Sequence, residues 1–407
     1  MSEVHISGYC DPKFKEVEKV FRNSIISNFE LGASFSVELE NQTIIDLWGG
    51  FCDADKTRKW ERDTIVNVFS VSKAITAICL GRLIERGLIN INLAVRDYWP
   101  EFGCNGKETI TVKQLLDHTA GMFAFREGIP IDNWQDWNQY IRLLESQAIY
   151  HEPGQHQAYH ALTFGWLIGE LIKRVDGRTV GEYFRDEVAQ PLDIDFKIGL
   201  QSKDFGRCAD TIMLPTLPSL NQLRPLKFVP DLFLSPIFKN IKKALKQDYI
   251  SEAFDPSILE DQNFVNTDDW RLAEIPAANG HGTARGLAKL FGILSRGGRE
   301  TECQILEQHT IDTMREIHSF GPDMVLFGLP YKFGLGFMIN APMTPIGRKK
   351  RGNMFGHTGI AGSVAFGDVD KKMGFSFLCN KQHKDLKLYK TSVELADALY
   401  NLSLIHI

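Results

Sequence analysis

Apolar and polar residues alternate along two short runs near the start of the chain. These runs, 33–40 and 43–47, flank Asn41-Gln42, and the first places Phe35 and Val37 between polar residues. Period-two alternation around a polar pair predicts a β-hairpin. Three further strand-like runs lie toward the other end of the chain: 334–340, 363–368 and 374–378. Strands are therefore expected at both ends of the sequence.

Between these runs the apolar residues recur at helical spacing. Two capping boxes, Thr111-x-x-Gln114 and Thr179-x-x-Glu182, mark helix starts, and Gly87 and Gly177 follow helical runs where a helix would end. The main predicted helices span 12–28, 70–86, 111–118, 163–175 and 386–402.

This order of elements predicts an α+β fold. Strands from both chain termini form an antiparallel sheet with flanking helices, and a helical subdomain is inserted between them. We expect one unit over 1–407, with a sheet portion at 1–69 and 325–407 and a mainly helical portion at 70–324. Clefts favour the boundary between such portions.

A proline-rich segment at 215–236 interrupts the helical pattern and is followed by a basic amphipathic run at 237–246. We interpret it as a cover on the helical portion. An active-site flap and a membrane-surface helix remain open alternatives.

Charge and composition narrow the class of protein. The 46 Lys+Arg and 51 Asp+Glu residues give a formal net charge of −5, without the long basic stretch of a nucleic-acid binder. The start has no signal-peptide pattern, and no run approaches the roughly 18 apolar residues of a membrane span. Seven scattered cysteines indicate reduced thiols. We expect a cytoplasmic protein with no nucleic-acid partner and no stable membrane insertion; its oligomeric state is not predicted.

Ser70 and Lys73 form a Ser-x-x-Lys pair at the start of a predicted helix. Residues three apart share a helix face, so the lysine could accept the serine proton if burial lowered its pKa. A surface Ser-Lys pair at a helix start would look the same.

Tyr159 stands on a predicted loop just before the helix that begins near residue 163. A phenol beside Lys73 could have its pKa lowered by the ammonium and transfer protons between Ser70 and a leaving group. A half-buried structural tyrosine is the alternative.

Gly356-His357-Thr358-Gly359 precedes the strand-like run at 363–368. Its small residues allow close backbone approach, and an amide there could complete an oxyanion hole with the amide of Ser70. A glycine-rich turn without function is the alternative.

These three motifs, in this order, resemble the serine β-lactamase and penicillin-recognising superfamily, whose signatures are Ser-x-x-Lys, a middle Tyr-x-Asn or Ser-x-Asn, and Lys-Thr-Gly. The sequence is similar in particular to the class C-like carboxylesterases of that superfamily. The segment Leu115-Leu116-Asp117-His118-Thr119-Ala120-Gly121 adds to the resemblance, although a structural role is favoured for His118.

The resemblance implies a β-lactamase/transpeptidase-like fold and a role for each matched residue. Ser70 matches the acylated nucleophile, Lys73 its proton acceptor and Tyr159 the general acid and base. The amides of Ser70 and Ile360 match the oxyanion hole. His357, Thr358 and Gly359 match the substrate-binding third motif, and the stretch around His281 borders the cleft.

Two departures bear on the substrate. Ala161 stands where the middle motif has asparagine, and His357 stands where the third motif has lysine. The first removes an amide that would bind the acylamino group of a β-lactam, and the second replaces an ammonium by a group that binds carboxylates less strongly.

The expected function is therefore a serine hydrolase that forms an acyl-enzyme at Ser70, most simply a carboxylesterase on small or medium acyl esters. The alternatives are a β-lactamase or D-amino-acid amidase or peptidase, an acyltransferase, and a non-catalytic acyl-ligand-binding protein. A small-molecule ester or amide is the expected partner. No cofactor is expected, and no metal, since His156 and His160 lack the context of a helical zinc pair.

Overall fold

The computed structural model describes residues 5–213, 224–254, 263–347, 353–383 and 387–406. In chain order its strands are β1 (Ile6–Cys10), β2 (Gly32–Leu39), β3 (Gln42–Gly50), β4 (Val66–Asn67), β5 (Phe196–Lys197), β6 (His281–Gly282), β7 (Arg299–Glu300), β8 (Cys303–Gln304), β9 (Ser319–Pro322), β10 (Pro330–Phe333), β11 (Met338–Asn340), β12 (Met354–Thr358), β13 (Val364–Asp368) and β14 (Met373–Cys379).

The main described sheet has nine strands in the order β1-β3-β2-β14-β13-β12-β11-β10-β9, and each neighbouring pair is antiparallel. Near its middle, β2 pairs with β14, so that Phe35 lies opposite Phe377. The predicted fold class is therefore confirmed: the two ends of the chain build one antiparallel sheet. The predicted hairpin is β2 and β3.

The α-helices of the described residues are α1 (Lys15–Ile26), α2 (Val71–Glu85), α3 (Val112–Leu116), α4 (Trp137–Ser146), α5 (Thr163–Asp176), α6 (Val180–Phe184), α7 (Pro236–Gln247), α8 (Tyr249–Ala253), α9 (Asp268–Leu272), α10 (Ala284–Ser295), α11 (Gln308–Arg315) and α12 (Lys390–His406). Both predicted capping boxes are present, at the starts of α3 and α6.

Helices cover both faces of the sheet. On one face α1 and α12 pack together, and their apolar residues share a buried cluster with Phe35 and Phe375. On the other face α10 packs on β2, β13 and β14. Glu38 faces this second layer, where Arg296 donates a hydrogen bond of 2.6 Å to its carboxylate.

The strand predicted over 334–340 is wrong in its bounds. β10 ends at Phe333 and β11 begins at Met338, because the chain leaves the sheet between them. There the amides of Leu335 and Gly336 donate to the carbonyls of Met314 and Leu116 in the helical portion.

The predicted division into 1–69, 70–324 and 325–407 stays a prediction, and β9 of the main sheet precedes residue 325. Of the predicted proline-rich segment 215–236, residues 215–223 lie outside the described residues. Within the described ranges, no helix combines the length and the apolar character needed to span a bilayer.

Candidate active site

Ser70 lies at the turn from β4 into α2. Phe69, immediately before it, has a φ of 48°, a left-handed conformation that a bulky residue rarely adopts. Twelve of the fifteen residues of α2 are buried, as expected for a helix that is apolar on all sides. Ser70 is only partly buried, so its hydroxyl stands at the accessible end of a fixed helix.

Lys73 is fully buried one turn along α2, and its Nζ lies 3.0 Å from Ser70 Oγ. The same nitrogen donates to the carbonyl oxygens of Ala161 at 2.7 Å and Ala277 at 3.0 Å. Two carbonyl acceptors account for both N–H bonds of a neutral amine, which leaves its lone pair for the Ser70 hydroxyl. Ala161, which stands where the middle motif has asparagine, thus contacts Lys73 through its main-chain carbonyl oxygen.

The charge state of Lys73 follows from this burial. Removal from water lowers the pKa of Lys73 well below its ordinary value, because a buried ammonium loses its hydration. A neutral lysine has a free lone pair with which it can accept the Ser70 proton.

Tyr159 lies over Lys73, with Nζ 4.8 Å from the centre of the phenol ring. The expectation that an ammonium lowers the pKa of Tyr159 is wrong in direction. Burial raises the pKa of Tyr159 well above its usual value, although a hydrogen bond with Ser70 opposes the rise. A low-dielectric site favours the neutral forms of both partners, so Tyr159 is held as a proton donor.

Asp323 fixes the main chain at Tyr159. This buried residue accepts hydrogen bonds through Oδ1 from the amides of Tyr159 at 3.1 Å, Val325 at 3.0 Å and Leu326 at 2.9 Å. Burial raises the pKa of Asp323 to about 6, although these amides oppose the rise. No sequence motif pointed to Asp323; its only signal is a turn after Gly321-Pro322.

His118 supports the ring of Tyr159. Its imidazole lies 4.8 Å from that ring and 4.7 Å from the ring of Phe333, measured between centroids. Its Nδ1 accepts a hydrogen bond of 3.2 Å from the amide of His160. Burial lowers the pKa of His118 well below its usual value. These contacts agree with the structural role favoured for His118.

The third motif reaches the same site from the sheet. His357 and Thr358 are the last residues of β12, and the His357 ring lies 6.0 Å from that of Tyr159. His357 Nδ1 lies 2.9 Å from the Thr358 carbonyl oxygen and 3.0 Å from the Thr358 amide nitrogen, and its buried Nε2 has no partner among the described residues. Burial lowers the pKa of His357 to about 3. Its imidazole is therefore held in the neutral form.

Gly359 lets β12 approach Ser70 closely. A Cβ at this position would lie 2.3 Å from the carbonyl oxygen of Val68, two residues before the serine. Tyr389 holds the same point by donating to the Gly359 carbonyl oxygen at 3.2 Å. A side chain at residue 359 would push the two segments apart.

The two amides of the expected oxyanion hole are available. Within the described part of the chain, neither the Ser70 amide nor the Ile360 amide donates a hydrogen bond. Ser70 precedes the first turn of α2, and Ile360 lies in the turn beyond β12, where the ladder with β13 has ended. Their pairing in one oxyanion hole stays a prediction.

His281 is connected to the start of α2 through its neighbours. It lies in β6, opposite Asn67 of β4, and its Nδ1 is 2.8 Å from the Asn279 carbonyl oxygen. Burial lowers the pKa of His281 to about 4. Its neighbour Gly280 donates to Ser72 Oγ, which anchors this strand beside the start of α2. Contact of His281 with a substrate stays a prediction.

Among the described residues there is no group of three or more His, Cys, Asp or Glu side chains that could hold a metal ion.

Comparison with known proteins gives the family. The profile of the Beta-lactamase family matches residues 17–398. The chain belongs to the Beta-lactamase family. Esterase/beta-lactamase LipL from Mycobacterium tuberculosis is 32% identical over 382 residues, which cover 92% of this chain and 83% of LipL.

Solved structures agree with this family membership. A penicillin-binding protein homologue from Caulobacter crescentus superposes with a TM-score of 0.84 at 32% identity, covering 98% of this chain and 100% of the homologue. A family VIII carboxylesterase superposes with a TM-score of 0.79 at 31% identity, covering 96% and 100%. The predicted resemblance and fold are thus confirmed for this β-lactamase-family chain.

Proposed function

We propose that the protein is a serine carboxylesterase that forms an acyl-enzyme at Ser70. The observation that carries the proposal is the buried Lys73 Nζ, 3.0 Å from Ser70 Oγ and held by two carbonyl oxygens. That contact supplies a serine with the adjacent base that it needs to act as a nucleophile. The names of the LipL and family VIII carboxylesterase relatives support the same activity.

In the acylation step, Ser70 Oγ bonds to the ester carbonyl carbon while Lys73 Nζ takes the hydroxyl proton. The amides of Ser70 and Ile360 donate to the oxyanion. Tyr159 donates its proton to the departing alkoxide, and the Lys73 ammonium returns a proton to Tyr159. The alcohol leaves, and the acyl group stays on Ser70.

In the deacylation step, water attacks the acyl carbon and gives its proton to the Tyr159–Lys73 pair. The bond to Ser70 Oγ breaks, and the pair returns the proton to that oxygen. The free carboxylic acid leaves, so that every group regains its starting protonation state.

The substrate is proposed to be an ester with a small or medium acyl group. Ala161 offers no side-chain amide for an acylamino group, and a neutral His357 lacks the charge that would hold a carboxylate. Both features count against β-lactams. The neutral imidazole of His357 places no charged group against an uncharged ester. A cytoplasmic location is part of the same proposal.

Hydrolysis of p-nitrophenyl esters from acetate to palmitate, beside nitrocefin, tests this function. We expect turnover of the shorter esters, negligible nitrocefin cleavage, and loss of ester turnover in Ser70→Ala but not in the control Ser27→Ala, which changes an exposed serine. A fluorophosphonate should label Ser70 stoichiometrically. Full esterase activity in Ser70→Ala would contradict the mechanism, and efficient nitrocefin cleavage without ester turnover would favour a β-lactamase.

A further inference from the structure

Five large apolar side chains are exposed together around the start of α7. Among the described residues, thirteen large hydrophobic side chains are exposed, and five of these fall within eleven consecutive positions. Their exposed fractions are 87% for Phe228, 88% for Leu232, 75% for Phe233, 42% for Ile237 and 46% for Phe238. We call these five residues the apolar patch. A cluster of this kind marks an interaction surface in a soluble protein.

The apolar patch lies at the start of a helix whose opposite face is buried. The opposite face of α7 is buried through Ile241, Ala244 and Leu245, which join the cluster that contains Tyr159. Lys242 Nζ donates to the Val229 carbonyl oxygen at 2.6 Å and to Asp231 Oδ1 at 2.7 Å. These bonds tie the segment that precedes α7 onto the helix, so the exposed side chains are presented outward.

The segment that carries the apolar patch has a net positive charge. Residues 224–247 contain six Lys and Arg residues and one Asp, in a chain whose net charge is −5. Three lysines, Lys239, Lys243 and Lys246, are exposed on α7 and form no ion pair with another described residue. The single Asp231 is already bonded to Lys242. This segment therefore has the charge opposite to that of the whole chain.

Apolar side chains next to unpaired lysines match an anionic lipid surface. Such a surface offers an apolar interior and negative headgroups within one plane, and amphipathic segments of this composition lie in that interface. A nucleic acid would satisfy the lysines and could stack on the phenylalanine rings, but it would leave Leu232 and Ile237 exposed beside a polar backbone.

We propose that the apolar patch and the lysines of α7 bind the protein to the surface of membranes that contain anionic lipid. Phe228, Leu232 and Phe233 enter the headgroup region, and Lys239, Lys243 and Lys246 lie against the headgroups. This contact is peripheral and does not depend on the chemistry at Ser70.

Cosedimentation with vesicles tests the proposal. The full chain is mixed with vesicles of phosphatidylcholine alone or with vesicles that also contain phosphatidylglycerol, at low and high salt. We expect binding to the phosphatidylglycerol vesicles only, weakened by salt. The triple variant Phe228→Ser, Leu232→Ser, Phe233→Ser should lower the partition coefficient by about tenfold or more. The variant Lys239→Gln, Lys243→Gln, Lys246→Gln should also lower it, by about fivefold for each lysine.

The control is Ile317→Ser with Phe320→Ser, which changes two exposed apolar residues elsewhere and should leave binding unchanged. Thermal melting of each variant identifies any that has lost its fold. Absence of binding, equal binding to both vesicle types, or binding unaffected by the triple serine variant would each overturn the proposal. A concentration-dependent dimer that the triple serine variant abolishes, without vesicle binding, would assign the apolar patch to a second copy of the chain instead.

Discussion

The carboxylate of Asp323 accepts a hydrogen bond of 3.1 Å from the main-chain amide of Tyr159. Asp323 stands 164 residues further along the chain and is itself fully buried. A loop between β9 and β10 therefore sets the position of the phenol above Lys73.

The first prediction contrasts two substitutions of Asp323. Asp323→Ala leaves three buried amides without an acceptor, so we expect a loss of about 3 kcal/mol or more in the free energy of unfolding. Asp323→Asn keeps an oxygen for those amides. In the wild type, Gln157 Nε2 donates to Asp323 Oδ2 at 3.4 Å. In the variant, a flip of the Gln157 amide group brings its unpartnered Oε1 to the new NH₂ group of residue 323. We therefore expect the free energy of unfolding to fall by only about 1 kcal/mol. Urea unfolding and ester kinetics of both variants check this. Equal losses would mean that Asp323 does not hold Tyr159 through these bonds.

The second prediction concerns the proton acceptor. Lys73→Met keeps the length and apolar stem of the side chain but removes the base, so we expect kcat/KM for p-nitrophenyl acetate to fall by about 10²–10⁴-fold. Fluorophosphonate labelling of Ser70 should slow with it. Lys19→Met, at an exposed position on α1, is the control and should have wild-type kinetics. Retained activity in Lys73→Met would remove the lysine from the mechanism.

The third prediction is the pH dependence of the reaction. The pKa of Lys73 is lowered, so activity should fall as decreasing pH protonates its amine. The pKa of Tyr159 is raised, so increasing pH should not remove its proton in the ordinary range of tyrosine. We expect a rate profile with an acid limb and no loss of activity at alkaline pH before unfolding. A bell-shaped profile whose alkaline limb falls near neutrality would contradict this assignment.

The fourth prediction tests the approach of β12 to Ser70. Gly359→Ala would bring a methyl group against the Val68 carbonyl oxygen, so the Ile360 amide should move away from the oxyanion. We expect kcat to fall by about 10²–10³-fold, as for the loss of one oxyanion donor. Gly206→Ala is the matched control, because a Cβ there meets no atom within 4 Å. Similar kinetics in the two variants would argue against a role for this contact.

The fifth prediction is loss of stability in acid. Burial lowers the pKa of His160 to about 3, of His357 to about 3 and of His281 to about 4. These histidines stay neutral in the folded chain while those of the unfolded chain gain protons below about pH 6.5. At about pH 5, each one therefore favours unfolding by up to about 2 kcal/mol.

Several buried acids work in the opposite direction, Asp117 and Asp323 among them. Burial raises the pKa of Asp117 to about 6 and of Asp323 to about 6, so both gain protons in the folded chain before they do so in the unfolded chain. Their contribution rises as the pH falls below about 6 and offsets only part of the histidine effect. Urea midpoints measured from neutral pH to about pH 5 should therefore fall; a midpoint that rises across this range would contradict the prediction.

Periodicity and capping patterns predicted the hairpin, the main helices and the origin of the sheet in both chain ends. They did so because the hairpin and caps are local and because buried faces impose a repeat on the sequence. The strand expected at 334–340 was wrong because Leu335 and Gly336 bond to carbonyls of the helical portion, and such distant partners leave no periodic signal.

Only some residues of the candidate site could be predicted from the sequence. Ser70, Lys73, Tyr159 and His357 could be named from motifs, and the structure brings their side chains into one cluster. Asp323 and Ala277 could not be predicted from the sequence. Asp323 accepts from the amide of the distant Tyr159, and Ala277 contacts the distant Lys73 through its main-chain carbonyl oxygen, so neither contact leaves a motif. The pKa of Tyr159 was expected in the wrong direction because the sequence does not reveal that both it and Lys73 are buried.

The pairing of β2 with β14 has a consequence for biosynthesis. Ala33 is aligned with Cys379, so the middle of the sheet stays incomplete until residue 379 has left the ribosome. Ser70 and Lys73 are made early, but β12 and His357 arrive late. At about 5–20 residues per second, this leaves the edge of β2 that pairs with β14 without its partner for tens of seconds. A nascent chain in that interval holds the nucleophile without a catalytic site, and it depends on early packing of α1 or on a chaperone to avoid aggregation.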